Sequence, residues 1–289
     1  MLCAVFPNIP VLALTATANK VDRKYIKDSL GLKKCCEVTA NPDRKNIFLE
    51  KYFRDGPDMD AIEGILKPIA QNLLLHKLSY PLTIIYLCLK WCGFAYRLFE
   101  YVLGVHQYFP EGSDAKLENR LFAQYHAPQT NSMKDQIIKQ LRLPTSKVRV
   151  VFATVAMGMG VDIPSIHNII HVSPPYTIRE LFQEVGRAGR DGKASKTTLY
   201  YNNKDIGKKN RQMQDEVRDY CRNNESCLRV MLLKFLDVEE PQSLDPPHLC
   251  CRVCKEAYSC PKCTVHDDLL GLDMSENYVY HFCLSLLFV

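Results

Sequence analysis

The stretch from Val148 to Gly192 leaves the chain few folds to choose from. Two apolar runs rich in β-branched residues, Val148–Phe152 and Ile166–Val172, read as buried strands. Between them Ala153-Thr-Val-Ala-Met-Gly-Met-Gly-Val-Asp162 is a strand end turning over glycines. After them Gln183-Glu-Val-Gly-Arg-Ala-Gly-Arg190 is expected on a helix, where Gln183, Arg187 and Arg190 (i, i+4, i+7) share one face. Gly186 and Gly189 would each cost that helix about 1 kcal/mol against alanine, so something is expected to approach the backbone closely there. Arginine forks match phosphate oxygens, which makes a dense anionic group the expected partner. A solvated basic helix end is the plainer alternative.

Around this stretch the chain alternates strand and helix. Leu82–Leu87 reads as a strand and Trp91–Ala123 as helical with a break at Tyr108–Ser113. Phe122–His126 is a short strand, Lys134–Leu143 a helix, and Leu199–Tyr201 a closing strand. The pattern predicts an α/β fold: a parallel sheet covered by helices on both faces. Upstream, Gly56–Asp60 is a loop and the stretch from about Ala61 to Leu78 is helical. Val11–Leu14, Thr15-Ala-Thr-Ala18 and an amphipathic helix through Val21, Tyr25, Ile26 and Leu30 suggest a further β-α unit. The 104–118 stretch looks like a surface insertion with no assigned role.

The chain of 289 residues has room for about two domains. Its net charge of +5 is too mild to imply nucleic acid by itself. Placement says more: residues 193–211 hold six Lys/Arg against the single acid Asp205, a solvated face or a track for a phosphate backbone. Leu73–Val105 is interrupted by Lys77, Lys90, Arg97 and Glu100, and Tyr278–Val289 is too short to span a bilayer, so no membrane segment is expected. Thirteen cysteines without a recognisable signal peptide suit a reducing compartment and a metal.

Thr154, Gly158, Gly160, Asp162 and Pro164, followed by Gln-x-x-Gly-Arg-x-Gly-Arg-Asp-Gly, resemble motifs V and VI of superfamily 2 helicases, and most specifically the RecQ family of DNA helicases. Leu14-Thr-Ala-Thr-Ala18 resembles motif III, Asn41–Phe48 the segment between the two motor domains, and Tyr125-His126-Ala127 a further family segment. The resemblance implies a RecA-like second motor domain over 43–204, a remnant of the first over 1–42, a helical zinc-binding subdomain over 205–263 and an unassigned tail over 264–289. It implies Arg190 and Arg187 as arginine fingers on ATP with Mg²⁺, Gln183 as a nucleotide sensor, and Asp162 and Gly160 as nucleotide-binding positions. Thr154, Thr15, Tyr125 and His126 would contact DNA, single-stranded or partly duplex. The family's activity is ATP-dependent 3′-to-5′ unwinding in recombination and repair, in the nucleus. These residues contain no Gly-x-x-x-x-Gly-Lys-[Ser/Thr] and no Asp-Glu-x-His, so this polypeptide alone is expected to be inactive. A non-enzymatic DNA-binding or regulatory module is the competing reading.

The last signal is a cysteine cluster. Asp215–Asp237 reads as one helix carrying Cys227, and His248-Leu-Cys-Cys251-Arg-Val-Cys254 offers His-x-x-Cys-x-x-Cys. Cys227, His248, Cys251 and Cys254 are thus the expected Zn²⁺ ligands. The RecQ family has cysteine where His248 stands, which leaves Cys250 as its competitor. In a different arrangement Cys251 and Cys254 would pair with Cys260 and Cys263.

Overall fold

The computed structural model describes residues 10–15, 17–32, 35–56, 58–157, 162–163 and 165–258. Six strands form one sheet: β1 (Ile47–Phe53), β2 (Thr83–Tyr86), β3 (Phe122–Tyr125), β4 (Val150–Ala153), β5 (Asn168–His171) and β6 (Ser195–Tyr201). They lie in the order β1-β6-β5-β2-β4-β3, all parallel. Parallel neighbours need crossovers, and these are supplied by α2 (Asp58–His76), α3 (Leu89–Leu103), α4 (Asn131–Arg142) and α5 (Ile178–Val185); α1 (Lys20–Leu30) precedes the sheet.

Side chains alternate across each strand, so one strand feeds two cores. Ile84, Val151 and Ile169 pack to one side with Ile137 and Leu141 of α4 and Ile178 and Leu181 of α5. Ile85, Val150, Phe152 and Ile170 pack to the other with Ile62, Leu66 and Leu73 of α2 and Ala95 and Phe99 of α3. This is the expected parallel sheet with helices on both faces. Phe99, Phe122 and Phe152 form an edge-to-face cluster, with ring centroids 4.7 Å apart for Phe99–Phe152 and 5.5 Å for Phe99–Phe122.

Two local expectations are corrected. Val11–Leu14 forms no strand: it has no ladder partner among the described residues, and Leu12 and Leu14 stay exposed. The helix after it does form, started by an Asn19–Asp22 capping box and ended at Gly31 (φ +65°), but it buries no residue. The expected long helix over 215–237 is two, α6 (Asp215–Arg222) and α7 (Leu228–Phe235). Asn223 Oδ1 accepts from the Ser226 amide at 2.8 Å, forming a side-chain-closed turn that breaks the helix. A short α8 (Arg252–Ala257) follows.

Phe152 is fully buried within the aromatic cluster. Phe152→Ala is expected to lower unfolding free energy by about 3–5 kcal/mol in urea titration. A loss below about 1 kcal/mol would contradict the packing described.

Candidate functional site

α5 opens with a capping box, Thr177 Oγ1 accepting from the Glu180 amide at 3.1 Å and Glu180 returning the bond to the Thr177 amide. It ends at Val185, short of the arginines, so the single face expected for Gln183, Arg187 and Arg190 does not exist. Gly186 caps the helix and Gly189 adopts a left-handed φ of +57°. A Cβ on Gly189 would stand 2.4 Å from Asn46 Nδ2 and 2.7 Å from the Lys193 carbonyl oxygen. The close approach expected at these glycines is therefore made by the chain itself.

The turn after α5 buries Arg187 and leaves Arg190 partly exposed in an ion pair with Asp162. Gln183 stays on α5 and donates from Nε2 to Thr17 Oγ1 at 2.8 Å. Arg179, one turn earlier, pairs with Asp22. The amino-terminal segment thus docks along α5 through Thr17, whereas Thr15 is exposed and accepts only from the Thr17 amide, at 3.4 Å, among the described residues.

A cleft of about 510 Å³ opens at the carboxyl ends of β2, β4 and β5, where ligands bind in open parallel sheets. Tyr86, Cys88, Lys90, Trp91, Thr154 and His171 help to line it. Thr154 Oγ1 accepts from the Ala156 amide at 3.3 Å. Tyr125 and His126 lie one step behind, and Ala127 and Pro128 form the wall. The His126 amide donates to Gln129 Oε1 at 3.0 Å, and burial holds its imidazole below the usual histidine range. His171 and the α5 residue Glu184 meet at 2.9 Å, both buried, with the Tyr86 ring stacked on His171. Gly158, Gly160 and Pro164 lie outside the described residues.

Four sulfurs converge at the other end of the chain. Cys227, Cys250, Cys251 and Cys254 offer ligand atoms all within 4.8 Å of one another. Cys227 Sγ lies 3.4 Å from Cys250 Sγ and 3.9 Å from Cys251 Sγ. A tetrahedral ion with metal–sulfur bonds of about 2.3 Å needs sulfur–sulfur edges of about 3.8 Å, so the group fits a metal ion. Hydrogen bonds to Cys227 and Cys250 pull the Cys251 thiol well below its ordinary value; burial pushes Cys254 up. The expected set is corrected at one position: Cys250, not His248, completes the group. A 3-10 turn over Pro247–Leu249 turns His248 aside to stack on Tyr258, ring centroids 5.6 Å apart, and delivers Cys250 to the cluster. Cys227 is also no mid-helix residue but the N-cap of α7. Cys260, Cys263 and His266 lie outside the described residues.

Comparison with known proteins agrees with this architecture. Residues 102–192 match the helicase conserved C-terminal domain. A DEAD-box helicase, Mss116, bound to single-stranded RNA and UDP-BeF, superposes over 80% of this chain and 45% of its own with TM-score 0.55 at 16% identity. Dbp5 of S. cerevisiae, bound to RNA and ADP BeF3, does so over 72% and 48% with TM-score 0.50 at 16% identity. At such identity the likeness shows the fold alone, a RecA-like parallel sheet with helices on both faces.

The sequence relatives narrow the class. The chain is 30% identical to the ATP-dependent helicase wrn-1 of Caenorhabditis elegans over 86% of its length and 23% of the relative's. It is 29% identical to the ATP-dependent DNA helicase Q1 of Mus musculus over 80% and 34%, and 28% identical to a putative ATP-dependent RNA helicase of Acanthamoeba polyphaga mimivirus over 87% and 44%. The chain belongs to the RecQ-like superfamily 2 helicases, as a carboxyl-terminal portion, and spans less than half the length of these curated relatives. No helix among the described residues is long and apolar enough to cross a membrane.

Metal content measured by elemental mass spectrometry should fall well below one ion per chain in Cys250→Ala and stay unchanged in His248→Ala. The reverse pattern would return His248 to the ligand set.

Proposed function

We propose that the chain is the second motor domain and metal-binding lobe of a nuclear 3′-to-5′ DNA helicase acting in recombination and repair. Residues 43–204 form the motor domain, 205–263 the lobe, and 1–42 belong to a first motor domain. The observation that carries this reading is the turn after α5, which presents a partly exposed Arg190 and a buried Arg187 on a domain with a cleft at its sheet's carboxyl edge. Of the relatives described, one is named a DNA helicase and one an RNA helicase; DNA is assigned to the cleft on the likeness of the Gln-x-x-Gly-Arg-x-Gly-Arg string to the RecQ family of DNA helicases.

In this reading Arg190 leaves Asp162 to meet the charge that develops on a transferred phosphoryl group, and Arg187 supports it from within the turn. Arginine fingers are worth about 10³–10⁵ in rate in related chemistry. ATP with Mg²⁺ supplies the transferable phosphoryl group and is cradled by a first motor domain, because these residues contain neither the glycine-lysine loop nor the acidic box. Gln183, held by Thr17, reports on the nucleotide; Asp162 and Gly160 complete that side. Thr154, with Thr15, Tyr125 and His126, takes the DNA backbone, positioning without reading sequence. The metal is Zn²⁺, which four thiolates suit better than a hard cation.

The polypeptide alone should hydrolyse no ATP, with or without single-stranded DNA. Joined to a complementary first motor domain it should show DNA-stimulated hydrolysis, and Arg190→Ala should reduce kcat by at least about 10³-fold while sparing ATP binding. Hydrolysis by the isolated chain, or a loss under tenfold in Arg190→Ala, would overturn the assignment.

A further inference from the structure

The short segment before β1 makes contacts that strand pairing does not require. Arg44 Nη2 donates to the carbonyls of Ala188, at 3.3 Å, and Gly189. Asn46 Nδ2 donates to the carbonyls of Gly189, at 2.8 Å, and Lys193, at 2.7 Å. The backbone between the two arginines and the backbone just after them are therefore tied to one segment. The same segment is gripped from behind by Arg229. Its Nη1 meets Asp43 Oδ1 at 2.6 Å and the Arg44 carbonyl at 2.9 Å, and its Nη2 donates to the Ile47 carbonyl. Arg229 is 4% exposed and stands in the first turn of α7, two residues after the cluster cysteine Cys227.

A series of fixed contacts thus runs from the cysteine cluster through Arg229 and residues 43–47 to the arginine turn. Gly189 accepts from both side chains, and its left-handed conformation, open to glycine without strain, turns its carbonyl toward them. We propose that Arg44 and Asn46 are positioning residues for Arg187 and Arg190, and that segment 43–47 transmits the metal state of the lobe to them. The role of the arginines rests on the function proposed above; the mechanical coupling does not. Were these bonds only a seal along the sheet edge, events at the metal would leave the turn unaltered.

Amide hydrogen exchange of the full chain, metal-loaded and after chelation, reads the coupling without activity. Asn46→Ala should raise exchange over 186–195 by about tenfold or more, with metal content and the exchange of β2 and β5 unchanged. Chelation should loosen 186–195 in the parent, and in Arg229→Gln, where the turn is already loosened, it should add little. Joined to a first motor domain, Asn46→Ala should lower kcat about tenfold with KM for ATP within about twofold, and Arg44→Lys, which still donates to Gly189, should retain most activity. Unchanged exchange in both Asn46→Ala and Arg44→Ala, or chelation that opens the lobe alone, would overturn the proposal. Loosened exchange alongside full hydrolysis in Arg190→Ala would uphold the coupling and refute the finger role.

Discussion

The pairing of β1 with β6 is the constraint on which the rest of the molecule depends. The two strands run parallel in register from Ile47↔Ser195 to Phe53↔Tyr201. Parallel pairing sets the residues that precede one strand beside those that precede the other. Segment 43–46 therefore lies against the end of the arginine turn, although about 140 residues separate them in sequence. A slip of β1 by one residue would send Leu49 out of the core and carry Asn46 away from Gly189. The register is locked by a buried acid: Glu50 accepts from Lys196 at 2.7 Å and from Thr198 at 2.8 Å.

The sheet's two edges are then divided in use. The cleft lies at the carboxyl ends of the strands, and the arginine turn is tied to the loops at their amino ends. α5 bridges the two in eight residues, contributing Glu184 to the cleft floor through His171 and leading directly into Arg187. Thr17 and Asp22 brace the same helix from outside through Gln183 and Arg179. A short, stiff element touched at both ends suits the proposed function, in which a nucleic-acid face and a nucleotide face move together.

How much of this was legible in the sequence depended on where each residue's partners lie. β2, β4 and β5 were legible because buried parallel strands are continuous apolar runs. β1 was not, since Ile47-Phe-Leu-Glu-Lys-Tyr-Phe53 places Glu50 and Lys51 mid-strand. Their burial makes sense only with distant partners: Thr198 for the acid, and the Cys221 carbonyl at 2.6 Å and Asn224 Oδ1 at 3.0 Å for the lysine. The motif arginines were found by residue type, but helical periodicity misplaced them, because Gly189 answers to Asn46 rather than to helix propensity. Arg44 and Asn46 stand out only as part of Asn41–Phe48, with no partner in view, and Arg229 carries no local signal at all; only the fold brings them together.

The cysteine cluster shows the same limit at closer range. Spacing alone could not separate His248 from Cys250, since both lie within a few residues of Cys251, and the choice is made by the turn over Pro247–Leu249. Electrostatics favours the outcome. Four thiolates around a divalent ion leave a net negative charge, which a half-buried site tolerates only beside a cation. Arg229 is the cation that stands there, buried two residues after Cys227 and paired with Asp43 at 2.6 Å. The residue that offsets the cluster's charge is thus the one that grips segment 43–47. A change of charge at the cluster would be felt first at Arg229, so the coupling proposed above has an electrostatic route beside the mechanical one.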